Sequence, residues 1–269
     1  MKKWRDSLLG KIGPATITRL CRCVSAALEL AAQHDDRIQN RSAWEVGLAS
    51  LPDAQVARNV VISDDKVREF VSNAYALDDG FGLLIDVLAI TGARPSQAVR
   101  LTVENLHDHP ARPKLMMPKS GKGGGKNRAQ KKHERYSVPI TTQLAARLRA
   151  AAKGRSNDAP LLTQSDGNPW DKNPGQHYFR LVHKVVTAIG LDPDAVTVYA
   201  LRHSSIVRML LQNVPIRLVA SLHNTSVGMI EKTYSKFITD HSDEISRKAL
   251  LQHEQPQTIV ADNVVALAI

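Results

Sequence analysis

Apolar residues recur along most of the chain at the spacing of amphipathic helices. The first such stretch covers residues 16–33, where an i, i+3, i+4, i+7 pattern is formed by Ile17, Leu20, Cys21, Val24, Ala27, Leu28 and Ala31. We expect Thr16, shortly after Pro14, to cap this helix. A shorter helix is predicted over residues 43–48. Residues 51–59 have no clear period and are interpreted as a linker.

This linker predicts a domain boundary near residue 60, with residues 1–60 in one part and 61–269 in the other. The first part supplies only about two helices, too few for an independent core. The second part opens with Ser63-Asp64-Asp65, a cap followed by acids, which favours a helix start. Residues 80–90 are strongly apolar and predict a buried helix that ends at Thr91-Gly92.

The middle of the chain departs from helical periodicity. Residues 115–117 and 136–140 are predicted to form the two strands of a hairpin. The loop that starts at Pro118 contains three consecutive glycines and is expected to be flexible. Helices are predicted to follow over residues 141–152, 175–189, 199–212, 215–223 and 227–235. The fold class is therefore mainly α with a small antiparallel β-sheet (α+β).

Composition narrows the class of partner. The chain has 36 Lys and Arg against 26 Asp and Glu, a net charge of +10, which favours a polyanion such as nucleic acid. Its two cysteines, Cys21 and Cys23, cannot bridge to each other on a helix, and this fits a reducing cytoplasm. The N-terminus lacks the apolar segment of a signal peptide, and no apolar run is long enough to span a bilayer, so no membrane association is expected.

Arg94 stands where the buried helix is predicted to stop and the next to start, with Pro95 at the first helical position. A guanidinium beside free backbone N–H groups favours an anion such as phosphate. An arginine at a helix junction equally caps carbonyls or pairs with a carboxylate. Residues Tyr199, Arg202 and His203 form a second cluster on one helix face, able to hold a phosphate and move a proton.

Tyr234 follows a short predicted helix in a polar, basic setting. A phenol can attack phosphorus, but its ordinary pKa of about 10 means that it needs help to lose its proton. A surface tyrosine without such help is inert. Tyr234 taken alone therefore does not decide between a nucleophile and an inert side chain.

Taken together, these segments resemble the tyrosine recombinase (phage integrase) family. Residues 90–94 (ITGAR) are similar to the first catalytic box, residues 199–205 (YALRHSS) to the second, and residues 226–234 (SVGMIEKTY) to the stretch that ends at the nucleophile. The similarity spans roughly residues 60–240. Residues 1–60 resemble the latter part of the family's core-binding domain, whose beginning we expect to be missing.

The resemblance implies a catalytic-domain fold and a mechanism. Arg94 and Arg202 would clamp the scissile phosphate, and Tyr234 would attack it, leaving a 3′-phosphotyrosyl link that requires neither ATP nor a metal, and no other cofactor. Lys119 would protonate the leaving oxygen, with Lys122 as the alternative. Double-stranded DNA would be further contacted by loop cations, namely Lys122, Lys126, Arg128, Lys131, Lys132 and Arg135.

The chain departs from the family pattern at three positions. Tyr199 stands where the family usually has His, and a phenol is a poor base. Asn224 stands where His or Trp is common, with His223 one residue earlier, and either of the two is a candidate for that role. Gln97 replaces an acidic residue that often supports the first arginine, and a neutral amide cannot pair with its charge.

Three functions follow as hypotheses. The first is a site-specific recombinase or integrase of a phage or other mobile element, acting as a homotetramer on DNA in the cytoplasm, in association with the nucleoid. The second is a truncated, non-cleaving DNA-binding module of the same fold. The third is a helical DNA-binding regulator in which residues 199–223 act as a helix-turn-helix. A type IB topoisomerase uses similar chemistry but resembles the motifs less well.

Overall fold

The computed structural model describes residues 1–52, 59–120, 134–171, 174–239, 246–247 and 250. The chain divides into two compact units, Met1–Arg58 and Asn59–Ile269. The described residues form eleven α-helices, one 3-10 helix and a three-stranded antiparallel sheet, which confirms the predicted fold class. Within these stretches, no helix combines the length and the apolar character that crossing a membrane requires.

The N-terminal unit contains α1 (Lys2–Asp6), α2 (Pro14–His34) and α3 (Ser42–Gly47). Thr16 was expected to cap the long helix, but α2 begins two residues earlier. The reason is that Gly13 adopts the extended cap conformation and the fixed φ of proline suits the first helical position. The small core of this unit consists of Ile17, Cys21, Ala32, Trp44 and Leu48.

The second unit starts with the antiparallel pair α4 (Asp64–Leu77) and α5 (Asp79–Thr91). The Ser63 side chain accepts a hydrogen bond from the Lys66 N–H, so the predicted cap is confirmed. The Asp78 carboxylate caps α5 in the same way. Most of α5 is buried, in agreement with its apolar sequence. After α5 the chain turns at Gly92 into the single-turn helix α6 (Pro95–Ala98).

A 3-10 helix (Val103–Asn105) leads into the sheet, whose strands are β1 (Leu106–His107), β2 (Lys114–Pro118) and β3 (Arg135–Pro139). β2 is the central strand and pairs with both neighbours. The predicted hairpin is β2–β3. Strand β1 was not predicted, because two residues are too few to show an alternating pattern.

The remaining helices lie close to their predicted positions: α7 (Thr142–Ala152), α8 (Gly175–Ala188), α9 (Tyr199–Leu211), α10 (Ile216–Leu222) and α11 (Val227–Thr239). Pro215 precedes α10 as its N-cap, one position before the expected one. The main core is formed by residues of the sheet and of the helices from α4 through the start of α9. A smaller core joins α9, α10 and α11 and includes Tyr234. The position of Tyr234 is therefore set by packing rather than by a loop.

Some predicted features lie outside the described residues. They are the loop cations Lys122, Lys126, Arg128, Lys131 and Lys132.

Candidate active site

Arg94 lies in the break between α5 and α6. Gly92 ends α5 in the left-handed conformation, with φ of +58°, and Arg94 is the extended N-cap of α6. The Arg94 guanidinium donates from Nη1 to the backbone carbonyl of Asn224, 3.1 Å away. The local sequence thus turns the Arg94 side chain toward the loop between α10 and α11.

Gln97 is fully buried and supports Arg94 from within α6. Its Oε1 accepts hydrogen bonds from the backbone N–H and from Nη1 of Arg94, both at 3.3 Å. Its Nε2 donates to the Pro118 carbonyl at 2.7 Å and to Oδ1 of Asn224 at 3.3 Å. The neutral amide therefore connects Arg94 to the end of β2 and to the α10–α11 loop, which an acid could not do because it has no donor.

Arg202, on the first turn of α9, is only 7% exposed. Its guanidinium donates to two backbone carbonyls, Gly92 and His223, each at 2.7 Å. Burial lowers the pKa of Arg202 to about 10, and the charge of Arg94 acts in the same direction. Arg202 is thus held against the turn that precedes Arg94 and against the α10–α11 loop that Arg94 also contacts, and the charge of Arg94 disfavours the charge of Arg202. An anion bound beside both would relieve this repulsion.

Tyr234 lies on α11, is 5% exposed, and points its hydroxyl toward α9. The hydroxyl lies 2.6 Å from Nδ1 of His203. Burial raises the pKa of Tyr234, whereas the charges of Arg202 and Arg94 act to lower it. The phenol therefore lies within electrostatic reach of both arginines on the same subunit, and it is protonated near neutral pH.

Asn224 and His223, the two candidates for one role, occupy different environments. Oδ1 of Asn224 accepts a hydrogen bond from the Ser120 N–H at 2.7 Å, where the hairpin loop begins. His223 is fully buried, with Nδ1 2.8 Å from the Val219 carbonyl and Nε2 3.0 Å from the Ser205 hydroxyl. Burial lowers the pKa of His223 to about 4, so the ring is neutral. The His223 ring is thus packed in the interior, whereas the Asn224 side chain contacts Gln97 and the start of the hairpin loop.

Lys119 follows β2 directly. Its ammonium group lies 2.6 Å from a carboxylate oxygen of Glu134, and its backbone carbonyl accepts from Arg100 at 2.7 Å. Arg135 begins β3 across the hairpin. Because Ser120 contacts Asn224, the start of this loop is fixed next to the arginines while the Lys119 side chain remains partly exposed.

Tyr199 is the first residue of α9 and is 39% exposed. Sequence reasoning grouped it with Arg202 and His203 on one face, but it missed the contact from His203 to Tyr234. The helical spacing of the second box places the imidazole on that face. Its partner arrives only when α11 packs on α9, a tertiary event that no local pattern records. In the described part of the chain, no cluster of three or more His, Cys, Asp or Glu side chains is placed to hold a metal ion.

Solved structures of recombinases and integrases share this fold. The Tn1549 transposon integrase in complex with a circular intermediate DNA has a TM-score of 0.69 and 17% identity, over 93% of this chain and 84% of that one. A lambda integrase dimer bound to a core site has a TM-score of 0.61 and 14% identity, over 95% of this chain and 82% of that one. The XerH site-specific recombinase bound to its difH substrate has a TM-score of 0.51 and 14% identity, over 70% of this chain.

The chain covers 53% of the XerH chain, about half its length. No protein-family profile matches the sequence, and no curated protein matches it either. The fold is that of a tyrosine recombinase catalytic domain, and this agrees with the resemblance seen in the sequence motifs.

Proposed function

We propose that this protein is a tyrosine recombinase that cleaves and rejoins double-stranded DNA through a 3′-phosphotyrosyl intermediate. The observation on which this depends is the arrangement of Arg94, Arg202 and Tyr234. Two guanidinium groups are anchored to adjacent backbone turns, and both act electrostatically on one phenol. Such a site suits a phosphodiester, whose charge increases when a nucleophile adds to phosphorus.

Each residue then has a role. Arg94 and Arg202 hold the non-bridging phosphate oxygens, and Asn224 and Tyr199 donate further hydrogen bonds to the phosphate. Tyr234 forms the new oxygen–phosphorus bond while the bond to the 5′ oxygen breaks. Lys119 gives its proton to that oxygen, and Lys122 is the alternative donor. His223 positions the carbonyl that holds Arg202. Since the phosphoryl group is transferred to the enzyme and back, the reaction consumes no ATP and requires no metal.

The same proposal extends to the surroundings of the site. Arg135 and the loop cations Lys122, Lys126, Arg128, Lys131 and Lys132 would contact the DNA backbone. The N-terminal unit would act as a core-binding domain, and residues 61–269 as the catalytic domain. The recombining species would be a homotetramer on DNA, because strand exchange needs two duplexes with two cleavage sites each.

The test is covalent capture. A DNA sequence that the protein binds is first selected from a random duplex library. This duplex is then prepared with a nick beside each candidate phosphate. Cleavage next to the nick releases a short fragment, so the reaction cannot reverse. Wild-type protein is expected to form an adduct that survives a denaturing gel. Tyr234→Phe is expected to bind the same duplex with unchanged affinity and to form no adduct.

A matched control is Tyr75→Phe, which also removes a phenol that donates one hydrogen bond, in that case to Asp86 at 3.0 Å. This variant should retain the adduct. A Tyr234→Phe protein that still forms the adduct would contradict the proposal. A wild-type protein that binds the selected duplex without forming any adduct would favour the second hypothesis, a non-cleaving DNA-binding module.

A further inference from the structure

His203 and Tyr234 form a close pair between α9 and α11. The His203 Nδ1 atom and the Tyr234 hydroxyl oxygen are 2.6 Å apart, and the two ring centres are 5.7 Å apart. The two residues are 31 positions apart in the chain. Tyr234 belongs to the core that joins these helices, so packing fixes the position of the phenol in this pair.

The chemistry of the two rings fixes the direction of this hydrogen bond. Burial lowers the pKa of His203, and the charge of the adjacent Arg202 acts in the same direction, so the imidazole is neutral at pH 7. Burial keeps the Tyr234 phenol protonated, although Arg202 and Arg94 oppose that effect. A phenol O–H is a much stronger acid than a neutral imidazole N–H. The phenol therefore donates, and Nδ1 of His203 accepts with its lone pair.

We infer that His203 is the general base that receives the phenol proton of Tyr234 during DNA cleavage. This inference rests on the proposed function. As the Tyr234 oxygen bonds to phosphorus, its proton passes to Nδ1 of His203, and the departing 5′ oxygen is protonated separately by Lys119. In the rejoining step the His203 imidazolium returns the proton to Tyr234 as the phosphotyrosyl bond breaks. Protons and bonds balance in each direction.

The composition of α9 explains why this residue takes the role. Tyr199 is a phenol and a poor base near neutral pH, and it is exposed on the first turn. His203 lies four residues later on the same helix face, one turn further along. The His203 imidazole therefore lies one turn further along the helix than Tyr199, where it contacts the nucleophile on α11.

His223, the other imidazole near the arginines, is not an alternative base. Its Nδ1 lies against the Val219 carbonyl, which can only accept, so Nδ1 carries the proton. Its Nε2 then accepts from the Ser205 hydroxyl, and the ring is fully buried. Neither nitrogen of His223 has a lone pair that faces Tyr234.

The first test uses His203→Gln on the nicked duplex described above, with protein in excess so that the rate of adduct formation is measured rather than binding. Glutamine keeps a hydrogen-bond acceptor but cannot hold a proton. The rate constant is expected to fall by about 10²- to 10⁴-fold, with unchanged DNA affinity. The control His183→Gln replaces a partly exposed histidine of α8 and should keep the wild-type rate.

Two further measurements separate a proton acceptor from a positioning residue. The wild-type rate should level off above the lowered pKa of His203, whereas the His203→Gln rate should rise about tenfold per pH unit, since it needs the phenolate. Arg202 and Arg94 are present in both proteins, so they do not produce the difference. A duplex with sulfur in place of the bridging 5′ oxygen should rescue Lys119→Ala, because thiolate leaves without a proton, and should not rescue His203→Gln.

The outcomes distinguish this inference from the proposed function. A wild-type adduct together with an unchanged rate or an unchanged pH profile in His203→Gln overturns the inference alone. A wild-type protein that forms no adduct removes both. If His203→Gln fails to fold, ¹⁵N NMR of wild-type histidines replaces it: His203 should carry its neutral-state proton on Nε2, and Tyr234→Phe should raise its pKa. A proton on Nδ1 in the wild-type protein contradicts the inference.

Discussion

Gly92 meets two requirements at once. Its φ of +58° lies in the left-handed region that favours glycine, and a Cβ atom there would lie 2.5 Å from Cδ2 of His223 and 2.9 Å from Oγ of Ser205. Its carbonyl also accepts a hydrogen bond from Arg202. The α5 terminus, the buried imidazole and the second arginine can therefore approach each other only because this residue has no side chain.

We expect Gly92→Ala to destabilise the protein by about 2–4 kcal/mol, of which about 1 kcal/mol comes from the left-handed backbone and the rest from displaced neighbours. The matched control is Gly154→Ala. Gly154 has φ of +79°, but a methyl group at this position would meet no neighbour within 4 Å, so only the backbone cost applies. Urea unfolding of both variants gives the comparison. Equal losses would show that the contact with His223 and Ser205 is not a tight one.

The motifs of the sequence single out residues whose surroundings can be compared with the structure. Arg94, Arg202 and Tyr234 were chosen from three short segments, and the structure brings their surroundings together. The pairing of His203 with Tyr234 was not predicted, since it depends on how two helices pack. The burial of His223 was not predicted either. In the sequence His223 stands next to a polar loop, and nothing there indicates that the absence of a side chain at Gly92 leaves room for the imidazole.

At the scale of elements, the junction of α6 with the β2 end depends on one amide. Gln97 donates to the Pro118 carbonyl and to Asn224 while it accepts from Arg94, so it joins a helix, a strand and a loop. The Tyr136 hydroxyl on β3 is a further, more distant neighbour of the Gln97 amide, 3.5 Å from Nε2. The amide therefore positions the hairpin that carries Lys119 relative to the first arginine.

We expect Gln97→Glu to destabilise the protein by about 1–3 kcal/mol, although an acid at this position would place a negative charge beside Arg94. The second carboxylate oxygen would face the Pro118 carbonyl at the place where Nε2 now donates at 2.7 Å, with both atoms acceptors. Thermal or urea unfolding measures the loss. A Gln97→Glu protein as stable as wild type would mean that the added charge pairing with Arg94 offsets the lost hydrogen bonds.

Helix boundaries were predictable to within a few residues where capping residues mark them. Ser63, Thr141 and the Thr91-Gly92 stop are examples. Strand β1 was missed because it has two residues and exists only through its pairing with β2. The extension of α11 to Thr239 was also missed, because the helix was predicted to end at residue 235. In both cases tertiary contact, not local preference, decides the element.

At the scale of the whole molecule, the net charge of +10 attracts a polyanionic partner at long range. Charge alone does not separate a DNA-processing surface from a generally basic protein. A DNA surface neutralises particular phosphates and releases the cations condensed on them, so its affinity depends steeply on salt. A generally basic protein binds weakly through its distributed charge, and no single residue dominates.

We expect the logarithm of the affinity for the selected duplex to fall with the logarithm of salt concentration, with a slope of about 0.9 for each phosphate contacted. The Lys119 ammonium is partly exposed beside Glu134. If it turns to the DNA backbone, Lys119→Ala should weaken binding and lower the slope by about 0.9, the value of one phosphate contact. Lys184→Ala removes an equal charge from an exposed position on α8 and should leave the slope unchanged. Fluorescence anisotropy over a salt series measures all three proteins. Equal slopes for the two variants would mean that binding follows net charge and that the hairpin is not part of the DNA surface. A flat response of the wild type would count against DNA as the partner altogether.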